Sequence, residues 1–229
     1  MRTEEEKTAK VSNKPYLSLM GTLLWCSLTC RPDVSYYVSH LSQSMASPTP
    51  EAYDAALAVL SYLYSTRLLG IVFRRARQIS LQVWSDSSWG SVPSPMAGFI
   101  ILFNGTALSW SARKLRLVPQ SSTEAETASL CNACKAMMFV RNMFDFMLST
   151  LELPIHCFTD NEGTRLGVRN PGATQRTKHY ELYLHYSRKL FLDKIIEVNW
   201  VGTNDMIADI MTKPLDKTTF LKLRNLLVE

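Results

Sequence analysis

Asp86, Glu126, Asp160 and Asp209 are the residues through which this chain can do chemistry, because each stands at the edge of a sequence element. Asp86 ends a run in which Ile79, Leu81 and Val83 alternate with Ser80, Gln82 and Trp84, a period of two that predicts a strand. Glu126 lies in Gln120-Ser121-Ser122-Thr123-Glu124-Ala125-Glu126-Thr127-Ala128. There, three hydroxyl residues offer N-caps to a long apolar run that reaches Leu148. Asp160 follows the short apolar run Ile155 to Phe158, and Asp209 sits in a segment read as the start of a last helix, capped by Thr203 or Asn204. Carboxylates that converge repel one another, and one takes up a proton unless a cation offsets them. Oxygen ligands of this kind suit magnesium, with manganese able to substitute, rather than zinc. Two such ions about 4 Å apart stabilise the attacking and leaving oxygens of a phosphoryl transfer.

Each acid also has a plainer reading. Asp86 can cap a turn, Asp160-Asn161 can cap the next helix, and Asp209 can be a surface acid. Glu124 and Glu126 can simply complement the dipole of the helix they open. Residues two apart on a helix diverge, so one of this pair joins a given site and the other is expected in solvent.

The elements that must position these acids follow from pattern. Phe99 to Phe103 and Ala107 to Trp110 read as strands joined across Asn104-Gly105, a hairpin signal. Tyr180 to Leu192 reads as a helix and Ile195 to Val201 as a strand. The order from Ile79 is then β, β, β, α, β, α, β, α, which implies a mixed sheet with helices on both faces. A right-handed crossover through the long helix sets the first strand parallel to the strand ending at Asp160. Two stretches carry bases and no acid: Ser111 to Gln120, a loop with Arg113, Lys114 and Arg116, and Gly163 to His179, with Arg165, Arg169, Arg176 and Lys178. Both suit phosphate contacts. His179 touches substrate or is structural, and Trp89 and Trp110 are expected to pack in the core.

Upstream, residues 15 to 69 give three amphipathic helices. Tyr16, Leu19, Met20, Leu23, Leu24 and Leu28 share one face; Val34, Tyr37, Val38, Leu41 and Met45 a second; Tyr53, Leu57, Leu60 and Tyr64 a third. Pro32 and Pro50 suit first helical positions, the latter after a Thr49 cap. The organisation expected is a disordered leader over 1–14, a helical segment over 15–76, an α/β domain over 77–214 and a helical tail over 215–229.

The 229 residues carry a net charge of +5, compatible with a polyanion partner. Five cysteines lack the spacing of a disulfide framework, and no secretory leader or membrane-length apolar run is present. A soluble, intracellular, reduced protein is expected, with Cys131 and Cys134 as core packing.

At these residues the chain resembles the ribonuclease H domain of copia-type LTR retrotransposon polyproteins. The likeness rests on Ser85-Asp86-Ser87-Ser88-Trp89, Ser109-Trp110-Ser111, Ser121-Ser122-Thr123-Glu124-Ala125-Glu126, Ala133-Cys134-Lys135, Thr159-Asp160-Asn161, Arg176-Thr177-Lys178-His179 and Ala208-Asp209-Ile210-Met211-Thr212-Lys213. Upstream, Tyr16 to Gly21, Thr29-Cys30-Arg31-Pro32-Asp33 and Tyr62 to Gly70 look like the segment that links the reverse transcriptase to that nuclease, so the likeness spans residues 15 to about 215. It implies a ribonuclease H-like fold with a mixed five-stranded sheet. It also implies hydrolysis of the RNA strand of an RNA–DNA hybrid, leaving 5′ phosphate and 3′ hydroxyl ends, with two Mg2+ ions on Asp86, Glu126, Asp160 and Asp209. Glu126 is preferred to Glu124 because the Ala-Glu pair matches the family's catalytic glutamate; Glu124 is the alternative. Arg113, Lys114, Arg116, Arg176, Lys178 and His179 would meet the nucleic acid.

Some positions depart from the family's pattern. Ser88 stands where a second acid is usual, Thr127 where an aromatic is common, and Thr174 near a frequent histidine; cellular ribonucleases H, in addition, carry a histidine shortly before the last aspartate, and Val201 to Asp205 holds none. The polymerase aspartate pair is absent, so DNA synthesis is not expected. A catalytically weak or inactive module that binds nucleic acid, or docks a polymerase segment or another protein through residues 15–69, is the alternative function.

Overall fold

The computed structural model describes residues 13–75, 79–89, 95–115, 118–148, 151–170 and 180–229. Helices α1 (Asn13–Thr29), α2 (Ser35–Ser42) and α3 (Pro50–Ser65) come first, followed by β1 (Leu81–Ser87), β2 (Met96–Phe103) and β3 (Thr106–Lys114). Then come α4 (Ser122–Leu148), β4 (Ile155–Thr159), α5 (Glu162–Arg169), α6 (Glu181–Leu192) and β5 (Ile196–Trp200). Two 3-10 turns, Thr203–Asp205 and Ile207–Met211, lead to α7 (Lys217–Arg224).

The strands form one sheet in the order β3-β2-β1-β4-β5. β1 pairs antiparallel with β2, and β2 with β3; β1 pairs parallel with β4, and β4 with β5. Asn104 (φ 50) and Gly105 (φ 82) both lie in the left-handed region, the backbone that a two-residue hairpin matched to strand twist requires. The parallel β1–β4 pair is spanned by α4, as the pattern implied. With helices on both faces and a helical segment in front, this is the ribonuclease H-like architecture that the sequence resemblance implied.

One face buries Leu81, Val83, Ile101, Ile155, Cys157, Ile196 and Val198 against α4, α5 and α6. Cys131 and Cys134 are buried and unpaired, consistent with packing. On the other face, Ile100, Leu102 and Ala107 meet Ile207, Ile210 and Met211 of the second 3-10 turn, with Leu223 and Leu227 from α7 and beyond it. The N-terminal helices have their own core around Tyr16, Met20, Leu23, Val34, Val38 and Ala56. Thr49 caps α3 by accepting from the Ala52 amide, with Pro50 at its start. Contacts tie this unit both to the sheet and to the C-terminal tail. Trp110 Nε1 donates to the Ser27 carbonyl at 2.7 Å. Phe220 of α7 packs edge-on to Tyr37 and Tyr62. Gly70 and Glu229 exchange backbone hydrogen bonds at 3.1 and 3.0 Å.

Three expectations are corrected. Asp209 sits in a 3-10 turn, not an α-helix: Met206 is extended (φ −72, ψ 102), and the five residues that follow are all buried against the sheet. β3 runs to Lys114, so Arg113 and Lys114 are strand residues, paired with Ala97 and Met96, rather than loop residues. The segment after Gly163 opens as helix α5, because Asn161 accepts from the Thr164 amide at 2.9 Å and Thr164 and Val168 turn inward. The expected leader lies outside the described residues up to position 12.

The 3-10 turn reaches the sheet only over a glycine. A Cβ on Gly98 would press on the Met211 Cβ and come within 2.8 Å of Thr212 Cγ2. Gly98→Ala should gain a few tenths of a kcal/mol from the unfolded chain. Overpacking at a backbone-to-backbone approach costs about 1–3 kcal/mol and wins. The expected result is a lowered midpoint in urea denaturation; an unchanged or raised midpoint would show that the turn is free to move.

Candidate active site

Asp86 is the penultimate residue of β1, opposite Gly98 of β2. Its carbonyl accepts from Ser129 Oγ at 2.8 Å, which ties the strand to α4 one turn beyond Glu126. Its carboxylate Oδ2 accepts a hydrogen bond from Thr212 Oγ1, and Lys213 Nζ lies 3.9 Å away. Glu126 reaches back to the end of β1: its Oε1 accepts from the Ser87 amide and from Ser87 Oγ, both at 2.9 Å. Its other oxygen, Oε2, is buried with no hydrogen-bond partner. Asp160 directly follows β4. Its carbonyl accepts from Trp200 Nε1 and its Oδ2 from Thr203 Oγ1, each at 3.0 Å. Among the described residues, one carboxylate oxygen from each of Asp86, Glu126 and Asp160 lies within 4.8 Å of the others. Asp209 borders this trio, with Oδ1 2.9 Å from Lys213 Nζ.

These acids are held against their own charge. Burial raises the Asp86 carboxyl, with Lys213 and the Thr212 hydroxyl working in the opposite direction. Burial, then the charge of Asp86, pushes Glu126 well above the usual carboxylate range. Burial, then Asp86, pushes Asp209 up to about 7, despite Lys213 beside it. Burial works against the Lys213 ammonium, but Asp86 and Asp209 keep it charged and raise it. Three oxygen donors and an orphaned buried carboxylate oxygen are the surroundings a hard divalent cation satisfies.

The expectation that Glu124 faces solvent is corrected. Glu124 is 7% exposed and closes its own helix end: Oε2 accepts from the Gln120 amide at 2.6 Å, while Ser121 Oγ accepts from the Glu124 amide. Such reciprocal capping satisfies amides that a helix start leaves open, and it keeps Glu124 at the cap while Glu126 turns to Ser87. Trp89 is not in the core: 46% of it is exposed, with Nε1 donating to the Pro119 carbonyl. Arg113 and Lys114 line a groove of about 860 Å3 between β3 and α4, together with Asn132, Lys135 and Tyr183. Arg116, Arg176, Lys178, His179 and Thr174 lie outside the described residues. The pattern missed Lys135, Thr212 and Lys213. The last stands four residues after Asp209, a spacing that signals an ion pair, but Pro214 beside it reads as a break. No described helix is long and apolar enough to cross a membrane.

No protein-family model matches the chain. A Retrovirus-related Pol polyprotein from transposon RE1 of Arabidopsis thaliana is 33% identical over 208 residues, 90% of this chain and 14% of that protein. The corresponding polyprotein from transposon TNT 1-94 of Nicotiana tabacum is 26% identical over 222 residues, 95% of this chain and 16% of that protein. The chain thus spans about a seventh of the length of these relatives. A solved structure, LC11-RNase H1 in complex with an RNA/DNA hybrid, matches with a TM-score of 0.43 at 11% identity over 58% of this chain and 94% of that one. So loose a likeness carries nothing, and the fold rests on the strand order above. With 90% of its residues aligned at 33% identity, the chain is homologous to one part of the retrovirus-related Pol polyproteins of copia-type transposons.

Proposed function

We propose that the chain is a ribonuclease H that hydrolyses the RNA strand of RNA–DNA hybrids, working as the C-terminal part of a Pol protein. The supporting observation is the trio Asp86, Glu126 and Asp160, delivered from two strand ends and one helix start, with an unpartnered Glu126 oxygen among them. These three, with Asp209, would hold Mg2+ or Mn2+. Such an ion, when bound, lowers the pKa of an attacking water and offsets charge on the departing 3′ oxygen. The protein's own part is positioning. Ser87 fixes Glu126, Thr212 fixes Asp86, and Thr203 fixes Asp160, so the donors are set before substrate arrives. Arg113, Lys114 and Lys135 present an acid-free groove to phosphates. Arg116, Arg176, Lys178 and His179 would extend that contact. Residues 15–76 would serve as the connection to a polymerase segment, as their exposed Trp25, Leu28, Tyr64 and Leu68 support.

A labelled hybrid incubated with the protein and Mg2+ should lose its RNA strand, and neither a chelator-treated sample nor Asp160→Asn should cut it. Cleavage that ignores chelator, an unchanged Asp160→Asn variant, or salt-sensitive binding without scission would overturn the nuclease and leave a binding module.

A further inference from the structure

The four acids are not equivalent in their neighbours. Asp86, Glu126 and Asp160 offer one another carboxylate oxygens within 4.8 Å. Asp86 and Asp209 instead share an ammonium: Lys213 Nζ lies 2.9 Å from Asp209 Oδ1 and 3.9 Å from Asp86 Oδ2. The two carboxylates are nearly sealed, with 7% and 3% of their side chains exposed, and Lys213 is only a third exposed. Thr212, next in the chain, donates to the same Asp86 oxygen that faces Lys213. The last turn of the sheet's back face therefore brings both a hydroxyl and a positive charge to Asp86.

We propose that the Lys213 ammonium is built in as the site's second cation, holding the position between Asp86 and Asp209, so that the free protein takes one divalent ion rather than two. The inference rests on the nuclease reading for the identity of the cluster as a cation site. Lys213 is tethered four residues from Asp209, so it competes for this position without the loss of translational freedom that a free ion pays. A divalent ion between Asp86 and Asp209 would meet a like charge within a few ångström in a poorly solvated setting. The ammonium must swing away before a second ion is held. Asp86, Glu126 and Asp160 keep room for the first, because Glu126 Oε2 has no partner to lose. Lys213 is thus a positioning residue that sets how many ions the acids hold.

Mn2+ titration of the full chain without hybrid, read by the electron paramagnetic resonance of free Mn2+, counts the ions directly. Wild type should bind one. Lys213→Met should bind a second, about tenfold or more tighter than any second binding in wild type. Lys213→Arg should keep the count at one, and Lys213→Met with Asp209→Asn should return it to one. Two ions of similar affinity in wild type would overturn the proposal and leave the nuclease intact. So would an unchanged count in a Lys213→Met variant whose circular dichroism shows it folded. If Lys213→Met fails to fold, the wild-type count decides alone. No ion bound by any variant would overturn both this proposal and the nuclease.

Discussion

Glu126→Gln is expected to cut hybrid cleavage by at least about a thousandfold, roughly 4 kcal/mol on the barrier, while making the metal-free protein more stable. The two effects have one cause. Glu126 is 5% exposed, and Oε2 has no partner, so an ionised side chain there is costly unless a cation arrives. The amide keeps the shape and keeps an oxygen to accept from Ser87, but removes the charge that a divalent ion needs. In chelator, the variant's thermal midpoint at pH 8 should rise by several degrees, since about 1 kcal/mol or more of repulsion and desolvation is relieved and each kcal/mol is worth about 2–4 °C at this size. A variant that cleaves at wild-type rate would remove Glu126 from the site. A midpoint that falls would show that its carboxylate is satisfied by something other than an ion.

The same charge burial sets a pH slope. Asp209 moves from an ordinary 3.8 to about 7 on folding, and Asp86 and Glu126 move upward too. Between about pH 4 and 7 the folded, metal-free protein therefore holds protons that the unfolded chain has released. Stability is then fully present below the unfolded values and is lost as pH rises through the folded ones. Metal-free wild type should melt lower at pH 8 than at pH 5.5, with a shallower slope in Glu126→Gln.

Sequence pattern reached as far as local physics reaches. Asp86 and Asp160 were legible because alternating runs mark strand ends, and because a crossover through α4 makes the two strands parallel neighbours. Glu126 was not separable from Glu124 by pattern: both are acids in one helix start, and only the cap geometry at Gln120 and Ser121 turns one inward to its own helix and the other to Ser87. The resemblance made that choice. The 3-10 form of the Asp209 turn depends on Gly98, more than a hundred residues earlier, letting the chain approach the sheet, and no local propensity reports that. Arg113 and Lys114 read as loop because they are polar; pairing with the start of β2 carries the strand through them. Lys213 was hidden by Pro214.

Asp33→Ala should cost about 3–5 kcal/mol, the largest loss of stability expected outside the acidic cluster. Asp33 is fully buried and takes three hydrogen bonds: from Arg31 Nε at 2.9 Å, Arg31 Nη2 at 2.7 Å and Tyr62 Oη at 2.8 Å. Arg31, 5% exposed, reaches on to the Thr66 carbonyl and hydroxyl, so the pair links the end of α1 to the end of α3. Removing the carboxylate leaves a buried guanidinium held by Thr66 and the face of the Tyr62 ring, with no counter-charge beside it, and a phenol without its acceptor. Tyr62 also carries Phe220 of α7 at 5.8 Å, so the loss spreads to the tail that packs on the back of the sheet. Replacing both charges, Arg31→Met with Asp33→Leu, should recover most of the loss, because the desolvation of two ions is removed along with their attraction. Urea denaturation of the two single variants and the pair measures this coupling. If Asp33→Ala lies within about 1 kcal/mol of wild type, the network contributes little. Since none of these residues touches Asp86, Glu126 or Asp160, cleavage by Asp33→Ala should persist at temperatures where it stays folded.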